Sequence, residues 1–110
     1  MIPTGSLCPF AMLMLAILVG TLLPAHRLPS WLPNDKLLHV LAYGLAAVLL
    51  ILALPPGQGR WIGLLLLFLT GWLLEHLQRY VPGRGYSRGD LAANALGIAG
   101  GLTGTSLAGL

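Results

Sequence analysis

Charged residues and cysteine are both scarce in this chain. Only 8% of its 110 residues are charged and 56% are hydrophobic, whereas about a quarter of a soluble globular domain is charged. Neither a soluble domain nor a disordered tail can be built with so few polar groups. The single cysteine, Cys8, excludes a disulfide framework and a cysteine-based zinc site. Six basic and three acidic residues are too few for a nucleic-acid-binding surface. The composition therefore predicts an integral membrane protein.

Four apolar stretches approach the length of about 20 residues that a transmembrane helix needs. Pro24 ends the first stretch and Pro55 ends the second, because proline cannot continue a helix. The first stretch lacks a basic segment before it, so we expect a retained helix and not a cleaved signal peptide. The connections are too short to form a second domain. We predict an all-α membrane protein, a four-helix transmembrane bundle in a single domain over residues 1–110, with spans at about 6–23, 37–54, 61–78 and 91–110.

The polar residues concentrate at one end of this predicted bundle. In four antiparallel spans, the end of the third helix lies beside the starts of the second and fourth. All three acidic residues, Asp35, Glu75 and Asp90, fall at that end, whereas the opposite end has Arg60 and little else. Polar residues placed only for solubility would not divide in this way. The apolar far halves of the helices also argue against a transporter, which needs polar groups along its whole path.

Helical spacing places several of these side chains on shared faces. Asp35, His39 and Tyr43 are four residues apart and share one face of the second helix. Glu75 and Gln78 are neighbours on the third helix. The stripe on the fourth helix consists of Asp90, Asn94, Gly97 and Gly101. The sequence therefore predicts carboxylate, imidazole and amide groups at a common depth.

Glu75 is the strongest single candidate for a functional residue. An ionisable group at membrane depth faces the bundle interior and finds a partner there, and we expect Lys36 or Arg84 to be its counter-charge. The alternative is a side chain that reaches the interface from a helix end. Other residues also have ordinary interpretations: Asp35 and Asp90 as helix caps, Asn94 as an interhelical hydrogen-bond partner, and His39 as a structural histidine.

His39, Glu75 and Asp90 are residue types that bind metals, but no close ligand spacing such as H-x-x-x-H accompanies them. We therefore predict neither a metal nor a cofactor.

Gly97 and Gly101 form a small-x-x-x-small pattern that lets helices approach closely in lipid. The pattern favours packing within the chain over a partner helix or a homodimer, and both interpretations stay open.

Three segments of the chain resemble the signature blocks of the VanZ-like membrane proteins. The matching patterns are D-K-x-x-H-x-x-x-Y, G-x-x-x-E-x-x-Q, P-G-R and D-x-x-x-N-x-x-G, which here occur in DKLLHVLAYG, GWLLEHLQRYVPGR and SRGDLAANALG. The resemblance covers about residues 33–104. It implies a small multi-pass protein of the bacterial inner membrane and cell envelope. The family's namesake is associated with low-level antibiotic resistance, to the glycopeptide teicoplanin.

Two hypotheses of function follow. In the first, the polar end binds or processes an anionic envelope lipid or lipid-linked precursor, with Glu75 and His39 as candidate acid and base. The residues expected to bind or orient the head group are Asp35, Lys36, Tyr43, Gln78, Arg84, Asp90 and Asn94. In the second, the cluster only holds the helices together, and the protein acts by binding a membrane partner.

Five of the six Lys and Arg residues lie at the polar end, which predicts that the site faces the cytoplasm. A role in antibiotic tolerance favours the opposite orientation, so both orientations stay open.

Overall fold

The computed structural model describes residues 7–27, 35–85 and 87–109. These residues form four α-helices and no strand, so the all-α prediction is confirmed for the described part of the chain. The helices are α1 (Leu7–Leu22), α2 (Asp35–Ala53), α3 (Gln58–Gln78) and α4 (Arg88–Leu107), with a 3-10 turn at Ala25–Arg27. Each helix lies within a few residues of its predicted position.

Local chemistry accounts for the ends of these helices. Pro24 closes α1, and Pro55 and Pro56 separate α2 from α3. Gly57 precedes α3 with a φ of 140°, a backbone conformation that favours glycine. Ser87 is the N-cap of α4, and its hydroxyl accepts a hydrogen bond from the backbone N–H of Asp90. α4 therefore begins at Arg88, three residues before the predicted start.

Helix α2 lies at the centre of the fold and packs against each of the other three helices. Its closest neighbour is α4. A Cβ on Gly97 would lie 2.5 Å from the carbonyl oxygen of Val40, and a Cβ on Gly101 would lie 2.7 Å from that of Gly44. Gly97 and Gly101 therefore serve packing within the chain, because no larger residue fits between the backbones of α2 and α4. A partner helix on this face stays a prediction.

Buried apolar side chains of α1, α2 and α3 form a core, but many large apolar side chains lie on the outer surface. Helices α2 and α3 are long and apolar enough to cross a membrane, and only 33% of each apolar window is buried. Helix α1, with 16 described residues, is shorter than a full span, and α4 is less apolar. Two of the four predicted spans therefore meet the length and composition of a membrane helix by themselves.

Candidate functional site: a buried polar cluster beside an apolar cleft

Four polar side chains from three helices meet at the end of the bundle where α2 and α4 begin and α3 ends. We call His39, Glu75, Asp90 and Asn94 the polar cluster. An imidazole nitrogen of His39 and one carboxylate oxygen each from Glu75 and Asp90 lie within 4.8 Å of one another. Glu75 is 1% exposed, Asp90 5% and Asn94 0%. The common depth that the helical spacing predicts is therefore present in the structure.

His39 is held in one orientation by its neighbours. Its Nδ1 lies 2.6 Å from Oδ1 of Asn94, and since an amide oxygen only accepts, Nδ1 carries the proton of this bond. The ring stacks parallel to Tyr43, one helical turn along α2, with centroids 6.1 Å apart. The other ring nitrogen, Nε2, lies 3.7 Å from Oδ2 of Asp90, which is beyond hydrogen-bond distance.

Gly71 gives the cluster its space. A Cβ at this position of α3 would lie 2.7 Å from the amide nitrogen of Asn94 and 3.0 Å from the hydroxyl oxygen of Tyr43. Any side chain on Gly71 would thus displace the two residues that orient His39. Sequence reasoning did not assign this glycine a role, although it opens the G-x-x-x-E-x-x-Q pattern.

Glu75 is anchored through one oxygen and not the other. The backbone N–H of Ser87 donates to its Oε1 at 2.8 Å, while Oε2 is buried without a hydrogen-bond partner among the described residues. The expectation that Lys36 or Arg84 is the counter-charge of Glu75 is wrong, because the described ion pairs join neither residue to it. Lys36 instead places its Nζ 3.7 Å from Oδ1 of Asp90, with a side chain that is 64% exposed.

Ser87 was missed by the sequence interpretation. It caps α4 through its hydroxyl and holds Glu75 through its backbone N–H. Its spacing of three residues before Asp90 is that of a capping box and would have been the signal. Because Ser87 supplies the cap, the Asp90 carboxylate points into the cluster and does not cap the helix itself.

Two predicted head-group residues hold the end of α1. The guanidinium of Arg84 donates to the carbonyl oxygens of Gly20 and Leu23, each at 3.0 Å. The amide of Gln78 donates to the carbonyl oxygen of Thr21 at 3.1 Å. The last carbonyls of a helix have no partner within the helix, so both residues fasten α1 to the rest of the bundle. Gln78 therefore has a structural contact where we expected a ligand contact.

A cleft of about 330 Å³ lies between α1 and α2, a volume within the range of about 300–1,000 Å³ typical of small-molecule sites. Apolar side chains form most of its wall, including Leu13, Ile17 and Ala42. His39 and Arg84 bring polar groups to the same cleft. The cleft therefore combines an apolar channel with access to one member of the polar cluster.

Asp35 is the one predicted site residue whose side chain lies outside the described part of the structure. Its backbone begins α2.

Comparison with known proteins yields no match: no family model fits the chain, and no curated protein and no solved structure shows significant similarity to it.

Proposed function

We propose that this chain is a VanZ-like protein of the bacterial inner membrane, and that it binds an anionic lipid of the cell envelope. In this proposal all four helices cross the bilayer. The acyl chain of the lipid occupies the α1–α2 cleft, and the head group lies at the polar end beside Arg84, Lys36 and the polar cluster. The family resemblance rests on the four motifs named above, and it connects the proposed lipid site with glycopeptide tolerance.

The outward surface supports insertion into a membrane. Twenty large hydrophobic side chains are exposed among the described residues, eight of them on α3. Such a continuous apolar exterior is unfavourable in water, where exposed apolar patches are small. At 1.5 Å per residue, α4 is about 30 Å long and the described part of α1 about 24 Å. Both can therefore run beside α2 and α3 through hydrocarbon about 30 Å thick.

The observation that carries the lipid proposal is the composition of the α1–α2 cleft. Leu13, Ile17 and Ala42 offer an apolar wall, while the polar side chains of Arg84 and His39 line the same space. This change from apolar to cationic along one cleft matches an acyl chain joined to an anionic head group. A guanidinium binds phosphate oxygens through its fork of N–H groups.

Arg84 has donors to spare for such a ligand. Both of its described bonds to α1 use Nη1, and a guanidinium carries five N–H groups. Lys36 adds a second, largely exposed positive charge close to Asp90. A charge-assisted hydrogen bond contributes about 1.5–3 kcal/mol, which corresponds to tenfold or more in affinity.

Native mass spectrometry of the purified protein tests the proposal. We expect a phosphorylated anionic lipid to be retained by the wild-type protein and to be lost, by tenfold or more, from Lys36→Ala and from Arg84→Ala. Arg60→Ala is the matched control: Arg60 donates to the carbonyl oxygens of Ile51 and Leu54 at the opposite end of α2, as Arg84 does for α1. This variant loses comparable structural bonds and should retain the lipid.

Three results would contradict lipid binding: a wild-type protein without bound phospholipid, equal retention by all the variants, or equal loss from Arg60→Ala. The alternative, in which the cluster only holds the helices together, predicts a different pattern. In that case Glu75→Gln lowers thermal stability in detergent, and no variant changes the lipid content at equal amounts of folded protein.

A further inference from the structure

The geometry of the polar cluster resembles a metal site in which the ligands are present and turned toward one another. His39 comes from α2, Glu75 from α3 and Asp90 from α4, and one ligand atom from each lies within 4.8 Å of the others. The ligand spacing that we sought in the sequence is absent because each helix contributes one residue. Only the packing of three helices brings the set together.

The carboxylate oxygens in this cluster are incompletely paired. Oε2 of Glu75 and Oδ1 of Asp90 are both buried without a hydrogen-bond partner among the described residues. The side chain of Glu75 is 1% exposed, so water in bulk does not replace the missing donor. A buried carboxylate is stable only when it is paired, protonated or bound to a metal. Lys36 is the nearest cation, and it lies 3.7 Å from Asp90 with most of its side chain in the open.

The orientation of His39 is that of a ligand. Its Nδ1–H donates to Asn94, which in the neutral ring leaves the lone pair on Nε2, the nitrogen that faces Asp90. A metal-binding histidine usually donates its far N–H to a carboxylate, a backbone carbonyl or water, and the side-chain carbonyl oxygen of Asn94 is an acceptor of the same kind. The 3.7 Å between Nε2 and Oδ2 of Asp90 is too long for a hydrogen bond. It is close to the separation of about 3.3 Å between two ligands of a tetrahedral zinc ion with bonds of about 2.0 Å.

We propose that His39, Glu75 and Asp90 bind a divalent transition-metal ion such as Zn²⁺, which accepts both imidazole nitrogen and carboxylate oxygen as ligands. Asn94 and the backbone N–H of Ser87 are the outer partners that orient His39 and Glu75. Because His39 also lines the α1–α2 cleft, the ion is reached from that side, and three protein ligands leave a coordination position for water or an anion. The inference goes beyond lipid binding, since the ligand set is complete without a lipid. In this site Glu75 and His39 are metal ligands and not a free acid and base.

Metal titration of the full chain in detergent tests this proposal without any lipid. After treatment with a chelator and its removal, Zn²⁺ is added and followed by calorimetry. We expect one ion per chain for the wild-type protein and at least 100-fold weaker binding for Glu75→Gln and for Asp90→Asn. Asn94→Ala keeps all three ligands and is expected to weaken binding by about 10–100-fold. His26→Gln, a change of an exposed histidine in the 3-10 turn, is the matched control and should bind as the wild type does.

The proposal is overturned if the wild-type protein binds no stoichiometric Zn²⁺, which would indicate that the two carboxylates share a proton instead. It is also overturned if Glu75→Gln and Asp90→Asn bind as tightly as the wild type. Should these variants fail to fold, the X-ray absorption spectrum of zinc bound to the wild-type protein decides. One imidazole with oxygen ligands supports the site, and sulfur or several imidazoles contradict it. Loss of lipid binding alone changes none of these results.

Discussion

The closest helix contact in the fold gives the sharpest test of how the site is assembled. Replacing Gly97 with alanine adds a Cβ 2.5 Å from the carbonyl oxygen of Val40 and 2.9 Å from the backbone nitrogen of Gly44. Both neighbours are backbone atoms, which cannot rotate away as a side chain would. Contacts of a Cβ below 3.0 Å essentially do not occur, so α4 must move away from α2 by about half an ångström or more. Asp90 and Asn94 would move with it, away from His39.

The magnitude follows from comparing two glycines of the same helix. Gly100 has no atom within 4 Å of its added Cβ, so Gly100→Ala changes only the helix propensity, a gain of about 0.5–1 kcal/mol. Gly97→Ala has the same gain, and overpacking opposes it by about 1–3 kcal/mol. The propensity cancels between the two variants. Gly97→Ala should therefore be about 1–3 kcal/mol less stable than Gly100→Ala, toward the upper end because backbone atoms clash.

Thermal unfolding in detergent, followed by tryptophan fluorescence, measures this difference. We expect Gly100→Ala to unfold at or above the wild-type temperature and Gly97→Ala clearly below it. Equal midpoints for the two variants would refute the packing of α4 on α2 through this face. The same result would remove the reason for Asp90 and Asn94 to meet His39.

Two further predictions concern residues around the site. Gly71→Ala should displace Asn94, whose amide nitrogen lies 2.7 Å from the added Cβ, and should lower the affinity for Zn²⁺ at least tenfold. The control, Gly100→Ala, should leave the affinity unchanged. Zinc titration of both variants checks this, and equal affinities would contradict the role of Asn94. Gln78→Met keeps the side-chain length but removes the donor to the carbonyl oxygen of Thr21. Leaving that carbonyl unpaired at a buried position should lower the free energy of unfolding by about 1–3 kcal/mol. Thermal unfolding measures this change, and an unchanged midpoint would show that Gln78 does not fasten α1.

The helices were predictable from the sequence because their limits depend on local chemistry. Pro24 and Pro55 fall where α1 and α2 end, as the fixed backbone of proline requires. The start of α4 was predicted three residues late because apolar character begins at Leu91, whereas the helix begins after its cap, Ser87.

The cluster itself was predictable from topology and helical period, but the partners of its members were not. Antiparallel helices and a spacing of four residues suffice to bring His39, Glu75 and Asp90 to one end. The contacts of Arg84 depend on the turn at Gly83, where a φ of 76° precedes a residue that reaches back to α1. Unpaired carbonyls at the end of α1 predict that some donor is needed, and only the tertiary fold shows which residue supplies it. From the sequence, His39, Glu75 and Asp90 were considered as metal ligands and set aside, since a set contributed by three helices has no spacing to recognise.

The central claim, an anionic lipid with its acyl chain in the α1–α2 cleft, is tested most directly by photo-crosslinking. A phosphatidylglycerol with a diazirine in its acyl chain is bound to the protein in detergent, excess lipid is removed, and the crosslinked positions are mapped by mass spectrometry. The account predicts crosslinks at Leu13, Ile17 and Ala42 in the cleft. It predicts few crosslinks at Leu65 and Leu69 on the exposed face of α3. The phosphatidylcholine analogue should label the cleft much more weakly. Labelling spread equally over both faces, or equal labelling by the two lipids, would contradict it.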